Sequence, residues 1–310
     1  MLSRIAESLY WIGRYLERAE DTCRSVDVHL QLLIDDPLVD QASAARSLLT
    51  VMGAPEPEPS ANIESEVLRL LCFDDGSPSS IVTAIGGARE AARRARETVS
   101  AEMWEAINTT WNSARGGRLQ RMRPSNMFRM VKERCAVIAG ISDNTMSHDE
   151  GWHFLVLGRN LERADMTARL LTTIAASSGS QVAWANVLRG CGAYHAFVRT
   201  YGGNTNDREA AEFLMLDRLF PRSLVYTLAA GERALAELDQ GERRTGFESE
   251  AQRQLGRARM ALEYQRPSEV LEDLPSRMAQ LQATLNQAGT EISRRYFEGA
   301  APALWRGGSR

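Results

Sequence analysis

A twelve-residue segment occurs twice in this chain, and this repeat constrains the fold more than any other feature of the sequence. The first copy begins at Gly13 and reads GRYLERAEDTCR, and the second begins at Gly158 and reads GRNLERADMTAR. Both copies share Gly, Arg, Leu, Glu, Arg, Ala, Thr and Arg at matching positions, and an acid follows the Ala in each. An internal repeat indicates that one structural unit is used more than once. We therefore predict that the chain is built from two versions of one helical unit.

Apolar residues around both copies recur at the spacing of one face of an α-helix. Around the first copy they are Ile5, Leu9, Ile12, Leu16, Ala19, Cys23, Val26 and Leu30, and around the second they are Phe154, Leu157, Leu161, Ala164, Ala168 and Leu171. A stripe of this kind is the side of an amphipathic helix that faces the protein core. We therefore predict a long helix over residues 3 to about 35, and a second that ends at about Ser177.

A second stripe lies about a quarter turn away from the core-facing stripe in each predicted helix. It contains Gly13, Glu17, Glu20 and Arg24 in the first copy, and Gly158, Glu162, Asp165 and Arg169 in the second. A Gly inside a helix costs roughly 1 kcal/mol relative to Ala. Its presence in both copies therefore predicts the close approach of a neighbouring helix or of a ligand.

The segments 74–82 and 217–225 form a second repeated pair. Asp, Pro, Ser and Val match between them at an offset of 143 residues, close to the offset of 145 residues between the first pair. No segment alternates polar and apolar residues over the length of a strand. We therefore predict an all-α, multi-helix bundle, in which residues 1–310 form a single domain. It would contain two tandem, pseudo-symmetric repeats at about 1–142 and 143–300.

Short motifs predict where helices begin and where loops interrupt them. Ser147 begins a Ser-x-x-Glu pattern, which is typical of a capping box at a helix start. Pro78 is expected in the first turn of a helix, and Ser80 and Ser223, which follow the two repeated prolines, are expected to act as caps. Loops are predicted where Pro, Gly and polar residues dominate, at 53–60, 115–124, 202–207 and 299–310.

Charge and composition exclude several functional classes. The 310 residues carry a formal net charge of −3, which provides no basic surface for nucleic acid. No apolar run reaches the roughly 18–20 residues of a membrane span, and the N-terminus lacks the pattern of a signal peptide. We therefore expect a cytoplasmic protein that binds neither nucleic acid nor membrane.

The residue types that hold metals are scattered along the sequence. The four cysteines are Cys23, Cys72, Cys135 and Cys191, and they form no Cys-x-x-Cys motif. We predict that all four are structural thiols. His148 and His153 are five residues apart, whereas two ligands on one helix face need a spacing of four. The sequence predicts no metal site and, in the absence of a Gly-rich nucleotide motif, no cofactor.

Three segments resemble motifs of the alpha-E domain family, a domain of unknown function: 9–20, 100–108 and 220–223. The resemblance extends over essentially the whole chain, and it implies an all-helical fold with acid–arginine motifs. Genes of this family typically lie beside genes for circularly permuted ATP-grasp proteins and transglutaminase-like proteins. The resemblance therefore implies a circularly permuted ATP-grasp protein as a partner, and a transglutaminase-like protein as a further one.

The resemblance implies that the chain is an accessory or partner subunit of a system that forms peptide or amide bonds independently of the ribosome. In this system an ATP-grasp enzyme would catalyse bond formation. Two alternatives stay open. The chain could be an enzyme in its own right that transfers or condenses acyl or aminoacyl groups, or a purely structural helical interaction protein. No catalytic residue is assigned, because Ser79, Ser80 and Ser223 have no His–acid partner near them in sequence.

Charged residues of the repeated segment are the candidates for substrate binding. They are Arg14, Glu17, Arg18, Glu20, Arg24, Arg159, Glu162, Arg163, Asp165 and Arg169. Arg offers a bidentate fork for a carboxylate, and Glu can bind an ammonium group or act as a general base. These residues could therefore bind an amino acid or peptide in a cleft, where the stripes of both copies would meet near a pseudo-two-fold axis. The alternative is an interhelical ion-pair network, which specifies packing.

Overall fold

A computed structural model describes residues 1–56, 62–176, 181–202, 206–239, 246–247 and 249–298. Within these ranges the chain forms thirteen α-helices and no β-strand, which confirms the predicted all-α class. The helices are α1 (Ser3–Asp35), α2 (Gln41–Met52), α3 (Ile63–Leu68), α4 (Ile81–Arg94), α5 (Ala101–Ala114), α6 (Pro124–Thr145), α7 (Glu150–Ala176), α8 (Gln181–Gly190), α9 (Tyr194–Tyr201), α10 (Asp207–Leu216), α11 (Leu224–Leu238), α12 (Glu250–Glu263) and α13 (Leu274–Ile292). None of these described helices has the length and hydropathy needed to cross a membrane.

The chain divides into two compact units. The first unit holds residues 2–148, and the second unit begins at Asp149. In the first unit α1 packs against α4 and α6, and α5 packs against the same two helices. In the second unit α7 packs against α11 and α13, and α12 packs against those two. This shared order of packing supports the predicted duplication, which a superposition of the two units would test.

The core-facing stripe of the second motif helix is buried at every predicted position of α7. In α1, Leu9, Ile12, Ala19, Cys23 and Val26 are buried, whereas the other three predicted residues keep partial exposure. Helix α1 is also buried well beyond its apolar stripe, because polar residues on its other faces are covered as well. The periodicity therefore locates the core-facing side of α1 but underestimates how much of the helix is enclosed.

The predicted capping box at Ser147 is wrong. Helix α7 begins at Glu150, and the residue before it is Asp149. The Asp149 carboxylate accepts hydrogen bonds from the backbone N–H groups of Gly151 at 2.9 Å and Trp152 at 3.4 Å. Asp is as good a cap as Ser. The residue next to the helix therefore satisfies the first free N–H groups, and the Ser two positions earlier is not needed.

The repeated Pro-containing segments form the same helix entrance in both units. The Oγ of Ser80 accepts a hydrogen bond from the N–H of Thr83 at 3.1 Å, and that of Ser223 accepts one from the N–H of Tyr226 at 3.1 Å. Both serines are therefore confirmed as caps, of α4 and α11. The expected position of Pro78 inside the first helical turn is wrong, because it lies in the turn before the cap. Of the predicted loops, residues 57–60, 203–205 and 299–310 lie outside the described residues.

Candidate functional site

The acid–arginine stripe of α1 contains a buried ion pair. Oε1 of Glu20 accepts hydrogen bonds from Arg24, at 3.0 Å from Nε and 2.6 Å from Nη2. The two residues are four apart, so the helix places them one above the other on the same face. Glu20 is buried and Arg24 is half-buried. Glu17, one turn earlier on this stripe, is buried too.

The stripe of α7 contains the equivalent pair. Oδ2 of Asp165 accepts a hydrogen bond from Nε of Arg169 at 2.8 Å. Asp165 and Arg169 occupy the same places in the second copy as Glu20 and Arg24 in the first. Glu162 is buried at the place that corresponds to Glu17. The repeated sequence therefore forms the same acid–arginine ion pair in each unit, once on α1 and once on α7.

Burial limits what the acids of these stripes can do chemically. Glu17, Glu20, Glu162 and Asp165 are each at most 8% exposed. A buried carboxylate is costly unless a cation or hydrogen-bond donors compensate its charge. For Glu20 and Asp165, the Arg four residues later provides this compensation. The arrangement stabilises a charged group inside the fold, and removing one partner would leave the other charge uncompensated.

The second oxygen of Asp165 differs from the first. Oδ1 is buried and accepts no hydrogen bond from the described residues. Asn160, also on α7, donates from Nδ2 to the Val156 carbonyl at 2.8 Å, but its Oδ1 is likewise without a donor among the described residues. Each of these oxygens is an acceptor that an amino group, an amide or a water molecule could satisfy.

The candidate arginines Arg14 and Arg18 contact aromatic rings. Nη1 of Arg14 donates to the Tyr10 hydroxyl at 3.0 Å, and its guanidinium lies 5.7 Å from the Trp11 ring centroid. The Arg18 guanidinium lies 5.9 Å from the ring of Tyr15. Cation–π contacts of this length hold a guanidinium in place. The matching positions of the second copy are not aromatic, so these contacts are specific to α1.

The remaining candidates, Arg159 and Arg163, are half-buried on α7. The structure thus places all ten predicted residues on the two motif helices, with five on α1 and five on α7. It brings Glu20 to Arg24 and Asp165 to Arg169. The predicted meeting of the two stripes stays a prediction.

Comparison with known proteins places this chain in a family. The model of the Alpha-E family, described as a predicted alpha-helical domain with a conserved ER motif, matches residues 1–297. The chain belongs to the Alpha-E family. In this Alpha-E chain the triplet Glu-Arg-Ala occurs three times, beginning at Glu17, Glu162 and Glu232. The first two triplets lie in the repeated segments described above.

The curated relatives of this Alpha-E chain are named as uncharacterized proteins. An uncharacterized protein of Mycobacterium bovis is 26% identical over 269 residues, which cover 76% of this chain and 29% of the relative. An uncharacterized protein of Mycobacterium tuberculosis strain H37Rv is 25% identical over 269 residues, with the same coverage. The chain therefore spans about 29% of the length of these relatives. No solved structure matches this Alpha-E chain.

The four thiols of this Alpha-E chain are all buried, which is consistent with the predicted structural role. Burial raises the pKa of the Cys23 thiol to about 12, and it raises the pKa values of Cys72 and Cys135 well above their usual range. Sγ of Cys23 donates to the Phe128 carbonyl at 3.3 Å. These three groups are protonated at neutral pH, and a thiol is a far weaker nucleophile than a thiolate. Among the described residues, no group of three or more His, Cys, Asp and Glu side chains could hold a metal ion.

A buried polar face of α1 is absent from the candidates that the sequence suggested. Thr22, Ser25 and His29 are spaced three and four residues apart and are all buried. Their Oγ1, Oγ and Nε2 atoms have no hydrogen-bond partner among the described residues. Burial lowers the pKa of His29 to about 4. The spacing of these three residues indicates in the sequence that they share one face of α1. Only the tertiary packing shows that this polar face is buried.

A cavity in the second unit is the other feature that sequence reasoning missed. It lies beside α11 and α12 and has a volume of about 530 Å³. Its wall includes an ion-pair cluster, in which Arg259 binds Glu232 at 2.7 Å and also Glu263. The sequence feature that could have pointed to this cavity is the third Glu-Arg-Ala triplet, which begins at Glu232 and lies on α11.

Proposed function

We propose that this Alpha-E chain is an accessory subunit of a cytoplasmic, ribosome-independent system in which an ATP-grasp enzyme forms peptide or amide bonds. Its proposed partner is a circularly permuted ATP-grasp protein, with a transglutaminase-like protein as a further partner. Family membership supports this proposal through the gene neighbourhood that the resemblance implies. The observation that carries it is the use of the acid–arginine motif as buried, ion-paired structure in each unit.

The accessory role is favoured over acyl transfer by this chain for a chemical reason. A general base needs an oxygen that is not already engaged by a cation, and a nucleophile must be present in its reactive form. Glu20 and Asp165 each have a carboxylate oxygen held by the arginine four residues later. The Cys23 thiol is buried and has a raised pKa. Glu20, Asp165 and Cys23 thus have structural contacts in place of catalytic ones. This is expected of an accessory chain that binds and positions its partner or the substrate.

A role in holding the amino-acid or peptide substrate is supported by one specific atom. Oδ1 of Asp165 is buried without a donor from the described residues, while Oδ2 is held by Arg169. A substrate ammonium or amide N–H would complete its hydrogen bonding, and a charge-assisted hydrogen bond of this kind is among the stronger ones. We therefore keep the acid–arginine residues as the proposed substrate-binding group.

The test combines the chain with a circularly permuted ATP-grasp protein from the same organism. Size-exclusion chromatography would measure complex formation, and ATP consumption and amide product would be measured with and without this chain. We expect a stable complex and a rise in product formation by about tenfold or more, because correct positioning of reactants accelerates condensation. Amide formation by this chain alone from an activated acyl donor would contradict the accessory role, and so would the absence of both a complex and an effect.

Two variants separate substrate binding from structure in this assay. Asp165→Asn keeps the shape of the side chain but removes its charge, so we expect product formation to fall while the complex persists. The control is Glu90→Gln, which breaks a surface ion pair with Arg93 on α4 and should leave both measurements unchanged. A loss of the fold in Asp165→Asn, seen by circular dichroism, would assign the residue to structure instead.

A further inference from the structure

The cavity beside α11 and α12 has the properties of a ligand site. Its volume of about 530 Å³ falls within the range of roughly 300–1,000 Å³ typical of small-molecule sites. We propose that it binds a small molecule that carries a carboxylate and an apolar or aromatic side group. This inference goes beyond the proposed partnership and does not depend on it, because all residues of the cavity wall belong to the second unit.

The charges of the cavity wall favour an anion. Arg259 is held by Glu232 and Glu263, and Arg218 binds Glu263 at 3.2 Å. Arg233 lies on the same wall, is exposed, and has no carboxylate within ion-pair distance among the described residues. The wall thus holds three arginines and two glutamates, a net charge of one positive. The guanidinium of Arg233 is the group available to bind a carboxylate through two parallel hydrogen bonds.

Gln252 adds a polar group to the cavity wall beside the charges. The residue is 3% exposed and lines the cavity. Its backbone N–H donates to the Ser249 Oγ at 3.3 Å. Its side-chain amide offers both a donor and an acceptor, so a ligand with an amide beside its carboxylate would match this wall.

The remainder of the wall is suited to an apolar group. Tyr226 and Phe247 contribute aromatic rings, and Val225 and Ala229 contribute aliphatic surface. Phe247 is more than half exposed, which is unusual for so large an apolar side chain. An acyl or aromatic side group placed here would cover this surface while its carboxylate reaches Arg233.

In the first unit, the position equivalent to Ala229 is covered by a side chain. Counted from the capping serines of α4 and α11, Ala229 corresponds to Gly86. A Cβ atom on Gly86 would lie 3.0 Å from the indole of Trp111 on α5, so this side chain fills the corresponding space. Counted from the caps of α5 and α12, Trp111 corresponds to Met260, which is exposed. The second unit therefore lacks the aromatic side chain that covers this position in the first unit.

The test measures binding of N-acetyl-L-phenylalanine to the full chain by isothermal titration calorimetry. Its primary amide, N-acetyl-L-phenylalaninamide, is the matched ligand without the charge. We expect the acid to bind at least about tenfold more tightly than the amide, because only the acid can form the charge-assisted pair with Arg233. Equal affinities, or no saturable binding of the acid, would overturn the proposal.

Three variants locate the site. Arg233→Gln should weaken binding of the acid by about tenfold, and Ala229→Trp should abolish it by filling the cavity as Trp111 does in the first unit. Arg199→Gln removes an exposed Arg of α9 outside the cavity and should bind as the wild type does. Circular dichroism checks that each variant is folded. Wild-type binding by Arg233→Gln, or an equal loss in Arg199→Gln, would place the ligand elsewhere and overturn the assignment.

Discussion

The buried His29 makes a sharp prediction about pH. Its side chain is 6% exposed, and burial lowers its pKa from an ordinary 6.5 to about 4. Above pH 6.5 the imidazole is neutral in the folded and unfolded states, so its full contribution to stability is present. As the pH falls from 6.5 towards 4, the unfolded state binds a proton that the folded state does not, and stability is lost. Below about pH 4 both states are protonated and the loss is complete.

The size of the effect follows from the shift in pKa. Each pKa unit corresponds to about 1.36 kcal/mol, so the difference between 6.5 and about 4 limits the total loss to roughly 3 kcal/mol. Between about pH 7.5 and pH 5.5 the same linkage predicts a loss of about 1.3 kcal/mol. This upper window is the useful one, because most carboxylates with ordinary pKa values remain ionised there.

The assay is urea unfolding followed by far-ultraviolet circular dichroism at these two pH values. His29→Gln cannot take up a proton, so we expect its stability to fall less than that of the wild type by about 1.3 kcal/mol. His195→Gln is the matched control, since it removes an exposed imidazole and should follow the wild type. Groups that titrate in all three proteins cancel in this comparison. An equal loss of stability in the wild type and in His29→Gln would refute the reasoning.

Two further predictions concern single contacts that the structure defines. An added Cβ atom at Gly87 would lie 2.9 Å from ring atoms of Tyr15, so Gly87→Ala should destabilise the first unit by about 1–3 kcal/mol. At Gly140 an added Cβ meets nothing within 4 Å, so Gly140→Ala should stabilise α6 by up to about 1 kcal/mol. Thermal unfolding measures both variants, and stability changes of the same sign in Gly87→Ala and Gly140→Ala would contradict this prediction. Ser223 caps α11 by accepting a hydrogen bond from the Tyr226 N–H. In urea unfolding, Ser223→Ala should therefore lower the free energy of unfolding by about 1 kcal/mol, and Ser223→Thr, which keeps the hydroxyl, should lower it much less. Equal losses of stability in the two variants would argue against the cap.

The sequence by itself determined the features that depend on neighbours along the chain. The bounds of α1, the core-facing stripe of α7 and the caps Ser80 and Ser223 were all predictable. Helical periodicity and capping involve residues within one or two turns, so the sequence contains the information they need. The ion pairs Glu20–Arg24 and Asp165–Arg169 lie within one helix each, at a spacing of four residues, whereas the alternative predicted from the sequence was an ion-pair network between helices.

Only the tertiary structure decided which polar groups are enclosed and where space is left open. Nothing local distinguishes Thr22, Ser25 and His29 from a solvated face, because their burial depends on what packs against α1. The cavity beside Arg233 likewise depends on the absence from α12 of a side chain like Trp111, which fills the matching space against α4. Burial and cavities are set by side chains that are distant in sequence, and close packing makes each of them depend on its spatial neighbours.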